Sequence, residues 1–222
     1  MILNFVSTKK EDMISLKKYV LLIVTPILLL SFCCSFEKTK SDEIEYLKEQ
    51  KILIVYLSRT KNTKTVAELI HKHVGGDLVE LELENPYPED YKAIVDQVAN
   101  ENKSGFLPPL KTKIDSIEKY DLVFVGFPTW GMQLPPPMKS FLKQYNFKGK
   151  TIIPFNTNAG YGIGSSFEKV EELCPDSKIE KGFSVKGGIE RDGILYVMEG
   201  EKKIKTEKEI TVWLKKLNFL KN

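Results

Sequence analysis

Blocks of apolar residues recur along the chain and predict five strands after residue 50. The first and third runs are continuously apolar, as in strands buried on both faces of a parallel sheet. The second run alternates apolar and polar positions, which is typical of an edge strand with one solvated face. The strands are predicted at residues 52–57, 78–83, 122–127, 151–155 and 179–185.

Apolar residues at helical spacing fill the segments between these runs. In the second of these segments, one stripe is formed by Tyr91, Ile94, Val95 and Val98. Glycines at 75 and 76 end the first helix, and prolines at 135–137 are compatible only with a loop or a first helical turn. Helices are predicted at residues 62–74, 87–100, 137–145, 165–173 and 206–217.

Strict alternation of strand and helix predicts an α/β fold, a doubly wound five-stranded parallel sheet with helices on both faces. The alternating second strand belongs at an edge, so we expect the strand order 2-1-3-4-5. In such sheets a ligand crevice lies beyond the carboxyl ends of strands one and three. Function should therefore be sought in the loops after Leu57, Phe127 and Phe155.

Composition fits one domain of ordinary size over residues 51–222. The 222 residues are 42% hydrophobic and 28% charged, which excludes a disordered chain and a multi-span membrane protein. A net charge of +3 is too small to indicate a nucleic-acid partner. Three cysteines, two of them adjacent, cannot form a disulfide framework.

Residues 1–36 resemble a bacterial lipoprotein signal. Two lysines precede an uncharged run at residues 19–34, the arrangement of a basic region followed by an apolar stretch. The resemblance implies lipidation of Cys33 or Cys34 and anchoring of the exported protein to a membrane. The sequence departs from the signal at Phe32, because a small residue usually precedes the modified cysteine.

The N-terminal segment is also compatible with two further assignments. The uncharged run is close to the length that spans a bilayer, so it could be an uncleaved anchor. Alternatively, the start codon is misassigned. Met13 would be a more conventional signal start than Met1. If the N-terminus is misassigned, the protein is expected in the cytoplasm. Residues 37–50 are charged and predict a tether between membrane and domain.

The first loop, residues 58–63, combines hydroxyl side chains with the start of a helix. Backbone N–H groups at a helix N-terminus are unpaired and favour a phosphate. Hydroxyl donors are added by Ser58, Thr60 and Thr63. An ordinary N-cap turn would look similar, so this loop alone does not decide between the two.

Two further loops carry aromatic and small residues. A Trp beside a Gly, at Trp130 and Gly131, is suited to stacking a planar ring, although the indole could instead cover the core. The loop at 156–164 has small residues that expose backbone N–H groups, and Tyr161 offers a second aromatic ring. Its glycines miss the spacing of a dinucleotide-binding loop.

Taken together, these loops resemble the flavodoxin family over about residues 51–185 and the final helix. The segment from Ser58 to Thr63 is similar to the family's phosphate signature Thr/Ser-x-Thr-x-Asn-Thr. Similar segments occur at 87–91, 126–130 and 149–155.

The resemblance implies FMN as cofactor, with its phosphate on the first loop, its isoalloxazine ring beside the second and the pyrimidine edge against the third. It assigns the cofactor to Ser58, Arg59, Thr60, Lys61, Asn62, Thr63, Pro128, Thr129, Trp130, Gly131, Asn156, Thr157, Asn158, Ala159, Gly160 and Tyr161.

Three features depart from the family pattern. The domain is near neutral, whereas acidic shuttles of the family are steered to basic partners. Positive charge surrounds the phosphate loop at Arg59, Lys61 and Lys64. Residues 187–200 insert apolar, strand-like sequence before the last helix, which could be a hairpin, a partner surface or part of the site wall.

Two classes of function remain open on the sequence alone. One is a redox flavoprotein, either an electron carrier or an NAD(P)H-dependent reductase of quinone-like acceptors, with an unidentified redox partner. The other is a non-redox lipoprotein that uses the same fold to bind another phosphate-bearing or planar ligand. No residue plainly binds nicotinamide, so the sequence leaves open whether the protein is an enzyme.

Overall fold

The computed structural model describes residues 50–220 of the chain. The predicted signal, its candidate cysteines Cys33 and Cys34, and nearly all of the predicted tether lie outside these residues. Within residues 50–220, none of the helices combines the length and apolar character needed to span a bilayer.

The sheet is parallel throughout and has the predicted strand order. The first four strands run in the order β2-β1-β3-β4, and the fifth position beside β4 is shared by two short segments. Buried apolar residues fill β1 and β3, while β2 is partly exposed at the edge, as the hydrophobic pattern predicted. The strands are β1 Ile52–Tyr56, β2 Asp77–Glu80, β3 Leu122–Pro128, β4 Thr151–Asn158, β5 Lys178–Ile179 and β6 Phe183–Lys186.

A proline in β4 explains why the predicted fifth strand is divided. The backbone N–H of Glu180 donates to the Ile152 carbonyl at 2.9 Å, which continues the β5 ladder. The next hydrogen bond of the ladder would run from the N–H of residue 154 to the Glu180 carbonyl, but residue 154 is a proline and has no N–H. Pairing resumes at Phe183, opposite Phe155. The prediction of one continuous strand over 179–185 was therefore wrong.

Five helices connect or follow the strands. Right-handed crossovers place α3 and α4 on one face of the sheet and α1 on the other, where α1 packs against α5. Short 3-10 turns occur at Ile117–Lys119 and Glu190–Asp192. The helices are α1 Asn62–Val74, α2 Tyr91–Ser104, α3 Pro136–Gln144, α4 Ser166–Leu173 and α5 Gly200–Lys216.

Two helices begin several residues away from their predicted starts. The second was expected from residue 87 but begins at Tyr91, because Pro88 disfavours a helical residue before it and the Asp90 carboxylate accepts from the Ala93 N–H at 2.8 Å as the N-cap. The last was expected from residue 206 but begins at Gly200. Its first turn is charged and gives no apolar periodicity, although lysine and glutamate are good helix formers.

Helix α2 lies across the carboxyl edge of the sheet instead of packing into the main core. Just before α2, the carbonyls of Pro88 and Glu89 accept from the Arg59 guanidinium, in the loop after β1. Near the end of α2, the Asn102 side chain accepts from Lys139 at the start of α3. No residue of α2 joins the large apolar cluster formed by β1, β3, β4, α3 and α4. The helix therefore spans the region where the three predicted site loops emerge.

Candidate functional site

A cavity of about 650 Å³ lies at the carboxyl edge of the sheet, in contact with the loops after β1, β3 and β4. The cavity lies where the strand order predicted a ligand crevice. Its volume is in the ordinary range for a small-molecule site. Most of the predicted cofactor residues line it, namely Arg59, Thr60, Asn62, Thr63, Pro128, Thr129, Trp130, Gly131, Thr157, Asn158, Ala159 and Tyr161.

Four predicted cofactor residues do not line this cavity: Ser58, Lys61, Asn156 and Gly160. The Ser58 hydroxyl accepts from the backbone N–H of Lys64 at 3.2 Å, so it caps the first turn of α1. The Asn156 side chain is fully buried and donates to the Phe127 carbonyl and the Thr129 hydroxyl. Both residues fix the shape of the site loops from behind the cavity wall.

The loop after β1 forms a cradle of backbone donors. Among residues 50–220, none provides an acceptor for the N–H groups of residues 59–63. Lys61 has φ 64°, a left-handed conformation that is rare for a residue with a side chain. Such a conformation beside right-handed residues turns successive N–H groups toward one point and creates an anion-binding nest. The α1 N-terminus adds the positive end of its dipole.

Side chains of the same loop have different tasks. The Thr63 hydroxyl is buried and lies 2.8 Å from the Thr157 hydroxyl of β4. The Thr60 hydroxyl accepts from the Asn62 amide at 2.9 Å and keeps its own proton for a ligand. Asn62 also donates to the Leu195 carbonyl at 2.6 Å and accepts from the Val197 N–H at 3.1 Å. Asn62 therefore joins the loop to residues 187–199, which we call the strap.

The strap is part of the cavity wall and contains no strand. Residues 187–191 line the cavity, and a single antiparallel bridge between Ile189 and Ile194 closes its turn. The Tyr196 hydroxyl lies 3.1 Å from the Thr65 hydroxyl of α1. Residues 187–191 therefore form part of the cavity wall, which is one of the three roles that the sequence allowed for this segment.

The positive charge near the phosphate loop is largely compensated. Arg59 forms an ion pair with Glu190 of the strap, with 2.5 Å between Nε and Oε1. Lys64 pairs with Glu80 at 3.2 Å, and burial beside the same carboxylate raises the pKa of Tyr56. Arg59 therefore connects the loop after β1 with the strap and with the segment before α2. The free donors of this loop are mainly backbone N–H groups.

A tight turn positions the aromatic residue of the second loop. The backbones of Trp130 and Gln133 exchange two hydrogen bonds, and both central residues have positive φ, 55° at Gly131 and 60° at Met132. This pattern is that of a type I′ turn. The N–H of Ser165 donates to the Met132 carbonyl at 3.0 Å, which fixes the turn to the start of α4. A strained, partly exposed Met at this place is typical of a functional loop.

The two tryptophans differ as the sequence predicted. Trp130 lines the cavity and has the Tyr87 ring edge-on at 5.4 Å between centroids. Trp213 is 7% exposed, packs against Phe124 and Phe183, and donates from Nε1 to the Lys181 carbonyl at 2.8 Å. Trp130 therefore lines the cavity while also packing against the main apolar cluster, whereas Trp213 is buried in the core.

The third loop begins later than predicted. Residues 156–158 continue β4, because all three pair with β6 and the first two also pair with β3. The Asn158 carboxamide oxygen then accepts from the N–H groups of Gly160 and Gly162, which folds the loop back toward the cavity. Tyr161 is 66% exposed on this loop, and its hydroxyl accepts from Arg191 of the strap at 3.3 Å.

Sequence reasoning missed one entire side of the cavity. Helix α2 contributes part of the wall, and so do Met132 and Gln133 of the turn. The stripe at Tyr91, Ile94, Val95 and Val98 was visible in the sequence. A stripe on a crossover helix is normally buried against the sheet, so nothing in its spacing indicated a cavity wall.

A family model described as Flavodoxin matches residues 51–200, which include all three loops. The chain belongs to the flavodoxin family. A curated flavodoxin from Synechocystis is 26% identical over 122 residues, a match that spans 53% of this chain and 58% of that flavodoxin.

Solved structures of flavoproteins have the same fold as this flavodoxin-family chain. A flavoprotein from Bacteroides eggerthii is 29% identical with a TM-score of 0.60, covering 75% of this chain and 97% of that one. A flavoprotein from Lactobacillus acidophilus, solved in complex with FMN, is 24% identical with a TM-score of 0.54, covering 62% of this chain and 93% of that one.

Proposed function

We propose that this protein is an FMN-binding redox protein attached to a membrane of the bacterial envelope. Family membership and the FMN complex of a similarly folded flavoprotein support FMN as the cofactor. The observation that carries the proposal is the cradle of unpartnered N–H groups at residues 59–63, next to a cavity with an indole in its wall.

The residues present fit FMN at both ends of the molecule. A phosphate needs several donors, and the backbone N–H groups of residues 59–63 have no acceptor within residues 50–220. The Thr60 hydroxyl adds a donor, and so does the Thr63 hydroxyl when Thr157 donates in their shared hydrogen bond. A planar tricyclic ring needs flat apolar neighbours, and Trp130 and Tyr161 both line the cavity. Arg59 and Asn62 hold the surrounding segments in place and leave the phosphate to the backbone.

When bound, FMN supplies one- and two-electron redox chemistry, and the protein supplies orientation and electrostatics. The aromatic side chains of Trp130 and Tyr161 exclude water from the ring. The turn at Trp130–Gln133 brings main-chain atoms to the cavity, where their dipoles can tune the ring. The Asn158 side chain fixes the loop after β4 by accepting from the N–H groups of Gly160 and Gly162.

An absorption spectrum of the purified protein tests this proposal most directly. We expect a yellow protein with the two visible flavin bands, and release of FMN, not riboflavin or FAD, on denaturation. A colourless protein that also fails to take up added FMN would favour the alternative, a lipoprotein that uses this fold for another phosphate-bearing or planar ligand. For a yellow protein, NADH consumption with a quinone distinguishes a reductase from an electron carrier.

The envelope location leads to a separate prediction about the N-terminus. The mature chain should begin at Cys33 or Cys34 and carry two or three acyl chains, since two hydrophobic chains give stable anchoring. Mass spectrometry of the native protein from the detergent fraction measures this directly. An intact terminus at Met1 or Met13 in the soluble fraction would contradict it and return the protein to the cytoplasm, without affecting the FMN assignment.

A further inference from the structure

The α2 side of the cavity is an apolar wall that also includes Met132 of the turn at Trp130–Gln133. Tyr91 is 39% exposed, Val95 is 45% exposed, and Met132 of the adjacent turn is 44% exposed, and all three line the cavity. Ile94 and Val98 of the same helix are buried and line the cavity as well. An apolar surface inside a cavity indicates the apolar part of a ligand.

Two carboxamides beside this wall are oriented by one lysine. The Lys139 ammonium donates to the Asn102 Oδ1 at 2.8 Å and lies 3.5 Å from the Gln133 Oε1. Lysine has no acceptor, so both amides must turn their oxygens toward it. Their NH₂ groups then remain as donors, and in the part of the chain that the structure describes they have no acceptor. Both residues line the cavity.

We propose that this wall, formed by Tyr91, Val95, Met132, Asn102 and Gln133, binds a small quinone as electron acceptor. The proposal rests on the proposed function, because reduced FMN is the electron source. With FMN bound in its reduced form, the quinone would take up two electrons and two protons from it, so that its two carbonyl oxygens would become hydroxyls and the cofactor would be oxidised. An external low-potential donor then reduces FMN again.

The chemistry of the wall selects a ring with carbonyl groups. Aliphatic and aromatic side chains favour a flat apolar ring, and amide N–H donors favour carbonyl oxygens over hydrocarbon. The wall offers no cradle of backbone donors for a second phosphate, unlike the loop at residues 59–63. A protein partner would need a far larger patch, about 800 Å² on each side, than three side chains inside a cavity.

The test compares two oxidants on the full-length protein, purified in detergent, loaded with FMN and reduced anaerobically. Stopped-flow spectroscopy gives the rates of reoxidation by menadione, which should use the wall, and by ferricyanide, which needs only electron transfer. In Val95→Asp we expect the ratio of the menadione rate to the ferricyanide rate to fall about tenfold or more, since the apolar contact is replaced by a charge.

Two further variants complete the experiment. Val212→Asp is the matched control, because Val212 is 52% exposed on α5 and does not line the cavity, and its ratio should equal that of the wild type. Asn102→Leu keeps the size of the side chain but removes its donor, and should lower the ratio about fivefold or more.

The possible negative results can be distinguished from one another. Wild-type protein that does not bind FMN contradicts the proposed function itself. FMN binding with an unchanged ratio in both Val95→Asp and Asn102→Leu overturns the quinone site alone. Weaker FMN binding in Val95→Asp would also overturn it, because the wall would then belong to the cofactor.

Discussion

Replacing Thr60 by alanine and Thr63 by valine together is expected to weaken FMN binding by about two to four orders of magnitude. Each hydroxyl lost from a charged phosphate costs about 1.5–3 kcal/mol, and each 1.4 kcal/mol is tenfold in affinity. Riboflavin lacks the phosphate, so its affinity should stay close to that of the wild type. Valine at 63 preserves the shape of a buried side chain that lies against Thr157.

The comparison of the two flavins makes this experiment specific. Isothermal titration of apoprotein with FMN and with riboflavin gives the two dissociation constants. Thr211→Ala is the matched control, because its hydroxyl donates within α5 to the Glu207 carbonyl and lies away from the cavity. Equal weakening of both flavins would show that the loop at residues 58–63 supports the fold of the site and not the phosphate.

Opposite effects are expected from removing the two tryptophans. Trp130→Ala should loosen FMN about tenfold or more, because stacking contributes about 0.5–1.5 kcal/mol beyond the burial of the ring. The free energy of unfolding should fall less than in Trp213→Ala, since Trp130 is only partly buried where it packs against the main apolar cluster and lines the cavity. Trp213→Ala should instead lower the free energy of unfolding by about 3–5 kcal/mol by creating a core cavity. It also leaves the Lys181 carbonyl without its indole donor.

Melting temperature and flavin fluorescence separate these outcomes. An indole stacked on a flavin quenches its emission by electron transfer, so FMN bound to Trp130→Ala should be brighter at saturation. The folded fraction of Trp213→Ala should emit like the wild type. If Trp130→Ala leaves both affinity and emission unchanged, the turn at Trp130–Gln133 does not hold the ring.

Much of the fold could be predicted because burial leaves a strong pattern in sequence. Continuous apolar runs at β1 and β3 and an alternating run at β2 were enough to order the sheet. The order then located the site, since the loops of parallel strands meet at one edge. Residues within such a loop, such as Thr60 and Trp130, could be assigned because each loop is contiguous in the chain.

The sequence could not predict contacts that depend on a single distant partner. Ser58 and Asn62 look like phosphate donors in the chain, yet one caps α1 and the other also binds the strap through Leu195 and Val197. The fifth strand is interrupted because Pro154, on a different strand, has no N–H at the position where the ladder needs one.

By itself, then, the sequence determined the α/β sheet, its strand order, the three loops that meet at the cavity and the burial of Trp213 in the core, because periodicity and chain continuity encode these locally. The tertiary structure decided the rest of the cavity. Helix α2 lies across the carboxyl edge, and the strap closes the wall beside Arg59 and Glu190. An apolar helical stripe has the same spacing whether it faces the core or a ligand, so only the packing of neighbouring segments distinguishes the two.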